Sequence, residues 1–121
     1  MRLQLHITPV GKPRMTQRDK WQKRPAVMKY RAFCDQLRIG ANQQGFEISP
    51  GMHYLFYVPM PNSWSKKQKQ TMLGAPHRQK PDLDNLLKSV WDALCPEDAH
   101  IHSIGSAKKI WNKIGFIDIY E

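Results

Sequence analysis

The chain has few features of a secreted, membrane-spanning or zinc-binding protein. Its two cysteines, Cys34 and Cys95, are too few and too widely spaced to form a four-ligand zinc site. No apolar run approaches the roughly 20 residues that a membrane helix needs. The first residues alternate polar and apolar side chains and lack the continuous apolar stretch of a secretory signal. We therefore expect a reduced, cytoplasmic protein without membrane contact, folded as one domain over residues 1–121.

Acidic residues are also scarce, and they are unevenly distributed. The sequence holds 10 Asp and Glu against 19 Lys and Arg, for a formal net charge of +9. Half of the acidic residues lie within residues 82–100, which carry a net charge of −4, whereas residues 1–81 carry +12. A strongly basic chain favours a polyanionic partner such as nucleic acid. A protein that only coats nucleic acid gains nothing from an acidic patch, so the distribution favours a protein that acts on its partner.

Hydrophobic periodicity predicts a small α/β fold. The predicted order is β-α-β-α-α-β-β, with a mixed sheet of about four strands packed by two or three helices. The expected elements are a strand at 2–8, a helix beginning at Pro25, a strand at 52–58, a short helix capped by Ser63 or Ser65, a helix at 84–94, and closing strands at 100–104 and 109–119, for which a hairpin is one arrangement.

The helix expected at 84–94 separates apolar and charged side chains onto different faces. Its apolar face is formed by Leu83, Leu86, Leu87, Val90 and Leu94, and a polar stripe beside that face carries Asp84, Lys88 and Asp92. Asp82 precedes the helix, and an acidic pair follows it at 97–98. Carboxylate oxygens suit a hard cation such as Mg²⁺ or Mn²⁺. The simpler alternative is that Asp82 and Asp84 only cap the helix and that Asp84 only pairs with Lys88.

The same residues carry a family resemblance. KPDLDNLLKSVWDAL at 80–94, followed by Glu97-Asp98, resembles the RusA family of Holliday junction resolvases. Two upstream segments, GKPRMT at 11–16 and PNSWSK at 61–66, extend the resemblance in the same order. It implies a small α/β homodimer, phage or prophage encoded in a bacterial host, that cuts opposing strands of four-way DNA junctions in recombination and repair. The implied cofactor is Mg²⁺, with Mn²⁺ as a substitute.

The resemblance also implies individual roles, although one spacing differs from the family. Its implied catalytic residues are Asp82, Asp84, Lys88 and Asp98, and the three aspartates are also the implied metal ligands. Family members commonly have several more residues between the helix and the acidic pair, where this chain has only two. Glu97 and Asp92 therefore stay open as additional ligands, and the number of metal ions stays open as well.

Basic residues crowd the segment between the first strand and the first helix. Pro13 and Pro25 stiffen this segment, and Trp21 interrupts it, which favours a loop that grips phosphates over a merely solvated surface. We predict DNA-backbone contacts from Lys12, Arg14, Arg18, Lys20, Lys23, Arg24 and Lys80. A second basic cluster at 66–69 is a candidate extension of this surface.

Two other functions remain compatible with the sequence. A non-catalytic protein that binds branched or duplex DNA would use the same basic loop, with the acidic segment as a partner surface or helix cap. A nuclease that cuts flaps or forks would use the same catalytic residues, because branch recognition depends on loop geometry and dimer spacing. The leading prediction is a Mg²⁺-dependent, structure-selective endodeoxyribonuclease that acts on four-way junctions as a homodimer.

Overall fold

The computed structural model describes residues 1–14 and 24–121, apart from the side chain of Asp98. The described residues form a four-stranded mixed sheet and three α-helices in the order β-α-β-α-α-β-β, which confirms the predicted fold class. The elements are β1 (Arg2–Leu5), α1 (Pro25–Gln44), β2 (His53–Pro59), α2 (Lys66–Met72), α3 (Leu83–Leu94), β3 (Ser106–Asn112) and β4 (Phe116–Tyr120), with a short 3-10 turn at Asp98–His100. None of the helices within these residues combines the length and hydropathy needed to cross a membrane.

The sheet order is β1-β4-β2-β3, so the last two strands do not form the hairpin that was one arrangement open to them. Strand β3 pairs in parallel with β2, and β4 pairs antiparallel with both β1 and β2. Strand β2 therefore lies between the last two strands, which do not pair. A parallel pair needs a long crossover connection, and the segment that contains α2 and α3 supplies it.

The strand expected at 100–104 is wrong. Beyond the 3-10 turn, residues 101–104 have no regular structure, and the strand begins at Ser106. Ile104 is 40% exposed, so this segment offers no buried apolar face that would hold it against the sheet. The amide of Gly105 donates to the carbonyl of Met52, and regular pairing with β2 starts from that point.

Helices α1 and α3 pack against each other and against one face of the sheet. The sheet contributes its inward side chains Leu3, Tyr54, Phe56, Ile117 and Ile119, and the helices contribute Tyr30, Phe33, Leu37, Leu86 and Val90. Each of these side chains is at most 3% exposed. Burial of one such side chain stabilises a fold by about 1.5–3 kcal/mol. The apolar face that the sequence assigns to α3 is therefore the face that fixes this helix, and its charged edge faces outward.

Both edges of the sheet are occupied within the chain. On β1, the side chain of Gln44 exchanges two hydrogen bonds with the backbone of Gln4. On β3, the segment 74–77 pairs with the edge, and the amide of His77 donates to the carbonyl of Lys109. Covered edges protect a sheet against pairing with other chains. The covering segment on β3 leads directly to Lys80 and α3, so it also sets where α3 begins.

Candidate functional site

Two carboxylates lie at the start of α3. Asp82 occupies the N-cap position in an extended conformation, and Asp84 lies in the first helical turn. Their side chains are 55% and 70% exposed. The positive end of the helix dipole favours negative charge at both positions. The Asp82 side chain makes no hydrogen bond to the helix backbone, so it is not a simple cap.

Each of these carboxylates faces its own lysine. Lys80 Nζ lies 2.8 Å from a carboxylate oxygen of Asp82, and Lys88 Nζ lies 3.7 Å from one of Asp84. The hydrogen bond from Lys80 lowers the pKa of Asp82, and the reciprocal bond raises the pKa of Lys80. Asp82 is therefore an anion at neutral pH. Ion pairs at such exposed positions contribute little to stability, so a competing cation can replace the lysines.

A third lysine, Lys109, holds the backbone in front of the carboxylates. Its ammonium donates to the carbonyl oxygens of Gln79 and Pro81, at 2.8 and 2.9 Å. The positive charge of Lys109 also contributes, after Lys80, to the lowered pKa of Asp82. The sequence reasoning missed this residue. The sequence offered no signal for it, because Lys109 faces inward through the pairing of β3 with β2, opposite the buried Phe56, and periodicity does not specify that pairing.

The segment at 11–12 of the basic loop is docked on α3. Asn85 donates its side-chain amide to the carbonyl of Lys12 at 3.3 Å. Gly11 allows the close approach, because a Cβ atom at this position would lie 2.8 Å from Cβ of Pro81. The hydrogen bond joins the basic and acidic segments of the sequence, at residues 73 positions apart along the chain.

Asp92 anchors this arrangement at the other end of α3. It accepts hydrogen bonds from the Tyr30 hydroxyl at 2.5 Å and from Lys12 Nζ at 3.4 Å. Burial raises the pKa of Tyr30, and the bond to Asp92 raises it further. Asp92 therefore connects α1, the basic loop and α3, and its role as an additional metal ligand stays a prediction.

The position of the acidic pair is described only in part. The backbone of Asp98 begins the 3-10 turn, and the carbonyl of Glu97 accepts hydrogen bonds from the amide of His100 and the thiol of Cys95. Among the side chains that the structure describes, no three His, Cys, Asp or Glu groups converge as a metal site. The assignment of Asp98 as the third ligand stays a prediction.

The predicted DNA contacts fall into three groups. Arg18, Lys20 and Lys23 lie outside the described residues. Lys12 and Lys80 lie beside α3, through their contacts with Asp92 and Asp82, whereas the exposed Arg14 accepts a hydrogen bond at its carbonyl from Arg24. In the second basic cluster, Lys66 and Lys69 line a separate cavity of about 520 Å³ together with Lys113.

The exposed aspartates at the start of α3 fit a magnesium ion by their donor chemistry. Mg²⁺ prefers oxygen ligands, keeps several water molecules, and usually binds one or two carboxylates together with substrate phosphates. Asp82 and Asp84 supply two such carboxylates on an open surface, next to cationic side chains suited to phosphate. A fully preformed cage of protein ligands is not required for such a site.

Comparison with known families gives one match. A family model described as "Endodeoxyribonuclease RusA" matches residues 6–113 of the 121-residue chain. The match includes the loop at 11–14, all of α3 and β3. The comparison with curated proteins finds no match.

Proposed function

The chain belongs to the RusA endodeoxyribonuclease family, and from this premise we propose that it resolves Holliday junctions by metal-dependent hydrolysis in DNA recombination or repair. The observation that carries the proposal is a pair of exposed carboxylates at the start of α3, Asp82 and Asp84, each of which contacts a lysine. They lie in a chain of net charge +9. A surface that only binds DNA would be weakened by exposed acidic groups next to phosphate. Acidic groups become useful there when a divalent cation is held between them and the phosphate.

In the proposed site, Asp82, Asp84 and Asp98 hold Mg²⁺, and Mn²⁺ substitutes for it. The bound cation supplies an activated water molecule and stabilises the negative charge that develops on the phosphate. The chain itself supplies the placement of the carboxylates. Lys109 fixes the backbone at Pro81, and the first turn of α3 fixes the direction of Asp84.

Lys88 acts at the phosphate in this proposal. It lies one helical turn after Asp84, and its side chain is 59% exposed. Its contact with Asp84 is exposed and 3.7 Å long, so Lys88 would be released toward the phosphate if Asp84 held the cation. The ammonium then remains within reach of the substrate, where it can offset developing negative charge.

The basic residues hold the DNA, and a homodimer places two sites on it. Lys12 and Lys80 lie beside α3, through Asp92 and Asp82. Arg14 is exposed, and the sequence adds Arg18, Lys20, Lys23 and Arg24. Contacts of this kind are made to phosphates, so binding selects DNA structure and weakens steeply with salt. Two-fold symmetry of a dimer matches the two opposing strands that must be cut.

The variant Asp82→Asn tests the proposal, with Asp35→Asn as the matched control. Asp35 is an exposed carboxylate on α1 that pairs with Arg38. On a labelled four-way junction in Mg²⁺, Asp82→Asn should lose cleavage by about two to three orders of magnitude, the loss typical of removing one electrostatic group from an active site. Junction binding in EDTA should persist, and Asp35→Asn should cut normally.

Other results would select the alternatives. Cleavage by Asp82→Asn at the rate of the wild-type protein would refute the metal site. A wild-type protein that binds junctions and cuts no DNA in Mg²⁺ or Mn²⁺ would be a non-catalytic branched- or duplex-DNA-binding protein. Faster cleavage of flaps or forks than of four-way junctions would change the substrate and keep the catalytic residues.

A further inference from the structure

A basic cleft adjoins the start of α3. It has a volume of about 390 Å³ and is lined by Pro9, Val10, Gly11, Lys29, Lys80, Pro81 and Asn85. Ligand sites in proteins have volumes of about 300–1,000 Å³, so the cleft is large enough for part of a nucleotide backbone. Because Lys80 contacts Asp82, the cleft opens next to the proposed catalytic carboxylates.

The cleft continues along the flank of α1. A second cavity of about 330 Å³ shares Val10 and Lys29 with the first and includes the polar side chains of His6, Thr8 and Gln36. Lys29 therefore lies where the two cavities meet. Together they form a path along the surface, from the start of α3 to the side of α1 next to β1.

The charges of this path suit an anion. Lys29 and Lys80 both line the first cavity, one from α1 and one from the segment before α3. No Asp or Glu lines either cavity within the described part of the chain. Lys29 is exposed and forms no ion pair with the described residues, so its charge is available to a ligand.

The walls of the cleft are fixed by packing. Gly11 lies against Pro81, and Asn85 holds the carbonyl of Lys12, so the loop wall is attached to α3. On the other side, Val27 and Tyr30 flank Lys29 in sequence and are buried in the core. The backbone that carries the cleft residues is therefore held in place before a ligand binds, which lowers the ordering cost of binding.

We propose that this cleft binds the DNA backbone next to the phosphate that is cut, with Lys29 as a phosphate contact. The inference rests on the proposed function and adds to it a path for the cut strand, from the carboxylates along α1. Nothing in the sequence indicated Lys29, because it is a single lysine on a helix outside the basic loop. Only the tertiary packing brings it to the same cavity as Lys80.

The test compares Lys29→Gln with Lys29→Arg and Lys108→Gln. Lys108 is an exposed lysine on the opposite face of β3 from Lys109 and lines neither cavity, so its variant makes the same change of charge elsewhere. Binding to a labelled four-way junction is measured in EDTA at several salt concentrations. Lys29→Gln should bind severalfold more weakly. The plot of log K against log salt should also become less steep, with the magnitude of its negative slope smaller by about one. Lys29→Arg should bind like the wild-type protein.

A chemical version of the double-mutant cycle locates the contact. Junctions are made with a neutral methylphosphonate at single positions next to the cleavage site. At the phosphate that Lys29 contacts, the substitution should weaken binding by the wild-type protein and cause no further loss in Lys29→Gln.

Three results would overturn the inference. The first is unchanged affinity and salt slope in Lys29→Gln, and the second is an equal loss in Lys108→Gln, which would indicate only long-range charge. The third is additive losses at every methylphosphonate position. These results are separate from a failure of the proposed function, since cleavage by the wild-type protein in Mg²⁺ is measured independently. A wild-type protein that does not bind the junction would overturn both proposals.

Discussion

The hydroxyl of Tyr30 donates a hydrogen bond to Asp92 across the contact between α1 and α3, with 2.5 Å between the oxygens. Tyr30 is 2% exposed, so its hydroxyl depends on this bond for hydrogen bonding away from water. Lys12 contacts the same carboxylate from the basic loop. One acidic residue on the polar stripe of α3 thus joins three parts of the chain.

Removal of the hydroxyl should destabilise the fold. Tyr30→Phe keeps the buried ring and loses a hydrogen bond to a charged group, which contributes about 1.5–3 kcal/mol. Urea denaturation followed by circular dichroism should show this decrease in the free energy of unfolding. An unchanged denaturation midpoint would show that the hydrogen bond from Tyr30 to Asp92 does not contribute to the free energy of unfolding.

Asp92 should be dispensable for the chemical step. Asp92→Asn retains an oxygen that can accept from Tyr30 and loses the charge that attracts Lys12. We expect the variant to retain cleavage in Mg²⁺ within about tenfold of the wild-type rate, far above Asp82→Asn. Loss of cleavage as severe as that of Asp82→Asn, with normal stability, would instead make Asp92 a metal ligand.

Lys109 should affect catalysis through the placement of Asp82. Lys109→Met keeps an unbranched side chain and removes the donor to the carbonyls of Gln79 and Pro81. Because the lysines that we propose as DNA contacts are unchanged, kcat should fall by roughly 10- to 100-fold while KM changes little. Steady-state kinetics on a mobile four-way junction measures the two constants separately. Recovery of kcat by Lys109→Arg would support positioning, whereas an increase confined to KM would indicate a DNA contact.

Gly11 should matter for DNA binding more than for stability. In Gly11→Ala the new methyl group would meet Cβ of Pro81 at 2.8 Å, so the loop has to move away from α3. We expect severalfold weaker junction binding in EDTA and a thermal midpoint within a few degrees of the wild-type value. Wild-type affinity in this variant would show that the loop adjusts without changing the DNA surface.

His77 makes stability depend on pH. Burial lowers its pKa below the usual 6.5, and the nearby charge of Lys109 lowers it further. The unfolded chain therefore binds a proton more readily, so stability is full above pH 6.5 and decreases as the pH falls through this value. Between pH 8 and pH 5, the thermal midpoint of His77→Phe should fall less than that of the wild-type protein, by a few degrees.

The exposed His102 provides the control for this titration. His102→Gln should show the same pH dependence as the wild-type protein. If His77→Phe follows the wild-type curve as well, the loss of stability in acid comes from other groups.

The sequence by itself determined the local elements and the composition of the candidate site. The apolar side chains of α3 repeat at helical spacing. Asp82 precedes the helix and Asp84 lies in its first turn. The helix and the position of its carboxylates therefore depend on residues within a few turns of each other. The same holds for α1, which begins at Pro25, and for α2, which Ser65 caps through the amide of Gln68. The family membership was also readable from these segments.

The tertiary structure decided which of these elements meet. Periodicity does not specify pairing partners, so the order β1-β4-β2-β3 was not predictable, and the hairpin that the closing strands left open does not form. The contacts of Lys109 with Pro81, of Asn85 with Lys12 and of Tyr30 with Asp92 each join residues at least 28 positions apart. Contacts of that kind depend on how the helices pack on the sheet, because only packing brings distant donors and acceptors within hydrogen-bonding distance. The sequence supplied the charges of the site, and the packing decided which charges face each other.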